Sequence, residues 1–296
     1  MATTNGAAPA RKLKILMLHG YTQSGHLFNL KSKALQKHLA KSFPPAPQTG
    51  HLKQYPGGVE FHYPDAPIRL STKDIPGFSG QDLQSDDGPE AYGWWRRKGD
   101  GQNEPFRYEG IEKGMGAVAE VLKAQGPFDG VVGFSQGGAA AGLVASLLEP
   151  GRKEAFDKAE TKGGMPYPES FVSGDGMIQP PLRFAVSYAG FGARANTLYQ
   201  AFYDPKISTP MCHFLGTVDT VVEEERSLKL VDSCVDGRGK EGGVSRLIYH
   251  PGGHVLASQK QYMNALVAFL REALGESEIQ SPVKKEERAE DMDLPF

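Results

Sequence analysis

Three observations predict an α/β fold with a mostly parallel sheet and helices on both faces. Short apolar runs of strand length alternate with helical patterns along the chain, as in β-α units rather than hairpins. One run, around Val131-Val132, passes through Gly133-Phe134-Ser135-Gln136-Gly137 directly into an alanine-rich helical segment. The 296 residues, 39% hydrophobic, suffice for one substantial core, so a single domain is expected over residues 13–274.

The elements follow in order. Residues 1–12 read as a flexible leader. Residues 13–18 form an apolar strand that runs into His19-Gly20-Tyr21-Thr22-Gln23-Ser24-Gly25, a loop of small and polar residues. Residues 28–39 place Leu30, Ala34, Leu35 and Leu39 at helical spacing, before the break at Pro44-Pro45-Ala46-Pro47. A second strand is expected at 59–63. From 69 to 106 periodicity fails around Tyr92-Gly93-Trp94-Trp95, which predicts an irregular, lid-like insertion. A helix at 108–125 leads to the central strand, and another at 136–148 leaves it. Residues 149–181 read as a second irregular insertion. Strands are expected at 183–189, 211–215 and 244–249, and helices at 222–231 and 255–274. The segment 275–296, rich in Glu, Lys and Asp, reads as a disordered charged tail.

Composition narrows the function classes. A formal net charge of -2 with dispersed basic residues gives no stripe to neutralise phosphates, so a nucleic-acid partner is not expected. No apolar run approaches the length of a membrane span, and no membrane partner is expected. Cys212 and Cys234 stand at no metal-ligand spacing and read as free thiols of a reducing compartment. The N-terminal residues lack the order of a secretory signal, so a cytoplasmic location is expected, with the nucleus left open.

The chemistry centres on Gly-x-Ser-x-Gly. A serine on a sharp strand-to-helix turn has its hydroxyl pushed out at the carboxyl edge of the sheet, and the glycines leave room for the backbone crossing. Ser135 is therefore the candidate nucleophile, and it needs a base and an anion to orient that base. On such a scaffold the acid follows the serine and the histidine comes last. His213 and His250 fall within strand patterns, whereas His254 stands in the mobile turn Pro251-Gly252-Gly253-His254 and is the candidate base. Asp219, on the loop after the 211–215 strand, is the candidate acid. A helix N-cap role for Asp219, or substitution of its role by Glu223, are the competing readings. The backbone N–H groups of Gln136 and Tyr21 are the candidate oxyanion donors. His19, with no partner at ligand spacing, reads as a loop-bracing residue, and no metal site is expected. Trp94 and Trp95, with Tyr92, Phe78 and Phe106, either wall an acyl chain or anchor a long loop to the core. Arg96, Arg97 and Lys98 either meet an acidic group or are solvated.

Taken together, LKILMLHGYTQSG, FHYPDAP, GVVGFSQGG, HFLGTVDTVV and HPGGHVL, in this order over residues 13–272, resemble the fungal FSH-type serine hydrolase family of the α/β-hydrolase fold. The resemblance implies a Ser135-Asp219-His254 triad and an acyl-ester or thioester hydrolase without metal or organic cofactor. It also implies a largely parallel sheet, often with fewer strands than larger lipases have. Members are similar either to carboxylesterases or to stand-alone thioesterases, and the expected substrate is a small-molecule ester or thioester of a medium or long acyl group, free or as a carrier-bound acyl chain. An acyltransferase on the same triad and a non-enzymatic ligand-binding module on the same scaffold are the alternatives.

Overall fold

The computed structural model describes residues 9–71, 74–75, 90–99, 105–174, 176–239 and 243–276. The first eight residues of the expected leader, Phe78 and the expected tail from 277 onward lie outside the described residues. Six strands form one parallel sheet: β1 (Leu13–Leu18), β2 (Val59–His62), β3 (Gly130–Phe134), β4 (Phe184–Tyr188), β5 (Met211–Gly216) and β6 (Arg246–His250). Their order across the sheet is β6-β5-β4-β3-β1-β2.

That order has a mechanical consequence. The chain leaves β1 for β2 on one side, then crosses back to place β3 on the other, with Leu18 paired to Gly133. The loops after β1 and β3 therefore diverge and open a crevice at the carboxyl edge, which is where ligands bind in open parallel sheets.

Alternation along each strand divides the core. Leu16 and Leu18 of β1 face the cluster that holds helices α3 (Ile111–Gln125) and α4 (Gln136–Leu147), while Leu13, Ile15 and Met17 face the cluster of α1 (Gly25–Lys31), α2 (Lys33–Ser42) and α7 (Lys260–Ala273). α4 is buried on every side, which explains why its sequence is apolar all round rather than striped.

Three elements differ from the sequence expectation. The single helix expected at 28–39 is two, α1 and α2, because Ser32 interrupts it: its hydroxyl donates to Phe28 O four residues back at 2.8 Å and meets the Tyr63 hydroxyl at 2.7 Å. The second insertion is not wholly irregular. It contains helix α5 (Arg152–Glu160), which buries Phe156 and Arg152 at an i, i+4 spacing. The last helix starts later than expected, at Lys260, leaving residues 251–259 as loop. Helix α6 (Glu224–Val231) completes the set.

The described parts of the first insertion fold back as two small antiparallel pairs, Ile68–Arg69 with Tyr92–Gly93 and Arg96–Lys98 with Arg107–Glu109. Between them the chain drives Trp94 and Trp95 into the core. At the far end, Gly275 and Glu276 still belong to the fold, because the Glu276 carboxylate accepts the Lys53 N–H at 2.8 Å. Among the described residues no helix is long and apolar enough to cross a membrane.

Candidate active site

Ser135 sits between the end of β3 and the start of α4 with φ 53° and ψ -118°, a conformation that L-residues rarely adopt. Such strain costs of order 1–3 kcal/mol and persists only where the surroundings over-determine it. Here the Ser135 N–H donates to Tyr188 O at 2.8 Å and its carbonyl accepts the Ala139 N–H at 3.0 Å. The flanking glycines are equally constrained. A Cβ on Gly133 would lie 1.9 Å from Gly137 O, and one on Gly137 would lie 2.0 Å from Leu18 O. The helix thus crosses the strand ends at a distance only glycine allows, and the serine is held at the tip of the turn.

The two other chemistry-bearing side chains are delivered by adjacent loops. Asp219 follows β5 and His254 follows β6, and His254 Nδ1 lies 2.7 Å from Asp219 Oδ2. The second carboxylate oxygen, Oδ1, accepts the N–H groups of Val221 at 2.8 Å and Val222 at 2.9 Å. Burial alone would raise the Asp219 carboxyl, but the Val222 amide, the His254 imidazole and the Val221 amide outweigh it and hold the group below the usual carboxylate range. An ionised Asp219 accepts only, so Nδ1 carries the proton and Nε2 is left as an acceptor. The imidazole also packs on Phe134, the residue before the serine, with ring centroids 4.8 Å apart.

Backbone packing fixes these loops together. A Cβ on Gly216 would meet Gly252 O at 2.4 Å and Gly253 O at 2.5 Å, and the Thr217 N–H donates to His250 O at 2.9 Å.

Ser135, His254, Tyr21 and Gln23 line one cavity of about 520 Å³, within the ordinary range for a small-molecule site. The remaining wall includes Phe28, Phe134, Val221, Val255 and Leu256. Gln136 opens α4, so its N–H points out of the first turn beside Ser135, where the helix dipole favours negative charge. On the β1 loop, the Thr22 N–H donates to Tyr92 O and the Gln23 N–H to Gly20 O, while Gln23 Oε1 accepts the Gly20 N–H. Among the described residues no acceptor takes the Tyr21 N–H.

The three other histidines weighed in the sequence are placed elsewhere. His19 is buried, its Nδ1 facing Gly20 O at 2.8 Å and its Nε2 accepting the Ala66 N–H at 2.9 Å, which braces two loops as expected. His213 lies within β5, and burial pushes it down to about 4. His250 Nδ1 accepts the Gly252 N–H at 3.2 Å and shapes the turn before His254. Among the described residues no three His, Cys, Asp or Glu side chains gather as a metal-binding group.

Trp94 and Trp95 are not at the cavity. They are 0% and 1% exposed and belong to the core cluster under α3 and α4, so of the two sequence readings the anchoring role is the one the structure supports. The physical reason is Gln136, whose side chain is buried and bridges the insertion: Oε1 accepts the Trp94 N–H at 2.7 Å and Nε2 donates to Trp95 O at 2.8 Å. Trp94 Nε1 also donates to His19 O at 2.9 Å. Tyr92 and Phe106 likewise pack against that cluster. Arg96 is tied to Asp74, and the Arg97 guanidinium lies 5.0 Å over the Phe106 ring. Sequence reasoning missed this bridging role of Gln136. It also missed Phe28 as cavity wall, although the i, i+3 pair Phe28 and Lys31 on the helix after the β1 loop was visible.

Comparison with known proteins agrees with this architecture. The chain is 32% identical over 270 residues to an uncharacterised hydrolase of Schizosaccharomyces pombe, covering 88% of this chain and 51% of that protein. It spans about half the length of that relative and of a second one from the same yeast. It is 28% identical over 268 residues to esterase OVCA2 of Danio rerio, covering 88% and 96% of the two chains. Among solved structures, the acyl-protein thioesterase 2 of Zea mays superposes with a TM-score of 0.52 at 19% identity, covering 91% of this chain and 97% of that one, a likeness of fold. Residues 8–266 match the serine hydrolase (FSH1) family, and the chain belongs to that family of α/β-hydrolases.

Proposed function

We propose that the protein hydrolyses acyl esters or thioesters through an acyl-enzyme on Ser135. The observation that carries this reading is the convergence of a strained serine elbow and an Asp219-oriented His254 on one largely apolar cavity. In the proposed cycle, Ser135 Oγ attacks the acyl carbonyl while its proton passes to His254 Nε2. The Gln136 and Tyr21 N–H groups receive the developing oxyanion, and Asp219 stabilises the imidazolium. The tetrahedral intermediate collapses, and the alcohol or thiol departs with the proton from His254. A water molecule, deprotonated by the same imidazole, then releases the acid. The wall of Phe28, Val221, Val255 and Leu256 suits a medium or long acyl chain.

Fluorophosphonate labelling of the full chain, followed by hydrolysis of a chain-length series of p-nitrophenyl esters and acyl thioesters, tests the proposal. Wild type should label once, and Ser135→Ala should not label and should lose at least about a thousandfold in kcat. A folded wild type that neither labels nor hydrolyses any ester would overturn it. Partition of the acyl group to added alcohols rather than water would favour an acyltransferase on the same residues.

A further inference from the structure

The cavity wall is chemically one-sided. Among the described residues, the wall joins apolar and uncharged polar side chains and His254 to one permanent charge, Lys31, and to no carboxylate. Lys31 closes α1, three residues after the fully buried Phe28. Helical side chains lean toward the N-terminus of their helix, which directs the exposed Lys31 side chain back along the turn of Phe28, the other residue of this helix that lines the cavity.

A lysine in the last turn of a helix also complements the carbonyls there, and that alone would account for its presence. It would not account for a cation that lines an acyl cavity. Among the described residues no ion pair engages Lys31. The first three carboxylates of the chain are occupied elsewhere: Glu60 is bonded to Lys12 and His62, Asp65 accepts the Gly25 N–H at 2.7 Å, and Asp74 is bonded to Ser71 and Arg96. The surrounding sequence adds charge of the same sign. The first 59 residues contain eight Lys and Arg and no Asp or Glu. Lys33, Lys37 and Lys41 stand exposed at four-residue spacing along α2, beginning two residues from Lys31. A surface region of one sign of charge concentrates ligands of the other.

We propose that Lys31 selects substrates that carry an anionic group, a carboxylate or a phosphate, on the ester or thioester that enters this cavity. The inference rests on the reading of the cavity as the acyl site. The anion resides either on the acyl portion, as in a dicarboxylate half-ester, or on the leaving group, as in a phosphate-bearing thiol.

Two matched substrate pairs separate these sources. p-Nitrophenyl hexanoate against the p-nitrophenyl half-ester of adipate varies charge on the acyl side, and hexanoyl-pantetheine against hexanoyl-coenzyme A varies it on the thiol side. The readout is the ratio of kcat/KM, anionic over neutral, within each pair. Lys31→Gln should lower that ratio about tenfold in one pair, chiefly through KM, Lys31→Glu should lower it further, and Lys31→Arg should preserve it. Raising the ionic strength should shrink the wild-type ratio. The pair that responds identifies which portion bears the anion. Equal ratios in wild type and Lys31→Glu for both pairs would overturn the proposal. Fluorophosphonate labelling of every variant keeps the two readings distinct, since an unlabelled wild type sinks the active-site reading itself, whereas labelled variants with unchanged ratios sink only the role of Lys31.

Discussion

The Ser135 elbow and the loop pair that carries Asp219 and His254 solve the same problem, holding a functional side chain in place, by opposite means. At the elbow the constraint is steric: backbones approach so closely that a single added methyl on Gly133 or Gly137 would fall within 2.0 Å of a carbonyl oxygen. In the loop pair close backbone packing at Gly216 joins the loops, but the functional side chains themselves are set by polar contacts among the Asp219 carboxylate, two valine amides and the imidazole. Exposure follows the same division, since every residue of α4 is buried, whereas Val218 and Val221 beside Asp219 are 61% exposed and Val255 beside His254 is 49% exposed. A sterically set residue shares its fate with the fold. A residue set by hydrogen bonds can lose its function while the fold survives.

Asp219→Asn should break the loop pair without unfolding the protein. The asparagine oxygen can still accept from Val221 and Val222, but its amide would present a donor to His254 Nδ1 and force the imidazole into the wrong tautomer. A loss of about 10⁴-fold in kcat is expected, the scale of the equivalent change in other serine hydrolases, with a cooperative thermal transition retained. The pH dependence has a definite sign. Because the folded carboxyl titrates below its unfolded value, its contribution to stability is complete above about pH 4 and fades as the pH falls through the lower folded value. The stability gap between wild type and Asp219→Asn should therefore narrow in acid, as denaturant melts at pH 7 and pH 3 would reveal.

Gly137→Ala tests the steric side. Its new methyl meets Leu18 O and His19 O rather than a flexible side chain, so a destabilisation of about 4 kcal/mol is expected, with activity lost in step with folded protein. A variant with wild-type thermal stability would show that the elbow relaxes, and the contrast between the two regions would fail.

His213 sharpens the comparison within β5, the strand that delivers Asp219. Among the described residues its buried Nε2 has no hydrogen-bond partner, and burial holds the ring neutral down to about pH 4. In the unfolded chain it takes up a proton near pH 6.5, so between those values the unfolded state binds more protons and stability falls as the pH falls. The difference corresponds to about 3 kcal/mol lost between pH 7 and pH 4. His213→Gln should flatten that slope in urea melts across the range, and an unchanged slope would assign it to other groups.

Legibility in the sequence tracked the range of the interactions. The elbow was legible because strand, glycine spacing and helix are contiguous, and the crossing they require is local. Asp219 and His254 were nominated from loop position and order along the chain. Their approach to 2.7 Å depends on β5 and β6 lying side by side in the sheet. Helix α5 was hidden by glycines and prolines at its flanks, since Phe156 and Arg152 find their burial against distant residues 199–203. Trp94 and Trp95 were ambiguous for a related reason. An aromatic pair in an irregular segment looks the same whether it faces a cavity or a core, and the decision lay with Gln136, 41 residues or more downstream.

By itself, then, the sequence determined the layered α/β class, the strand-to-helix turn at Ser135 and the family to which the chain belongs, because periodicity, glycine spacing and motif order are properties of neighbouring residues. Tertiary structure alone decided which side chains face the cavity. Phe28 and Lys31 reach it, Trp94 and Trp95 do not, and His213 and His250 are spent on the sheet and on a turn. Those assignments depend on strand order and on which buried amide meets which backbone group, contacts that form only when segments far apart in the chain are packed together.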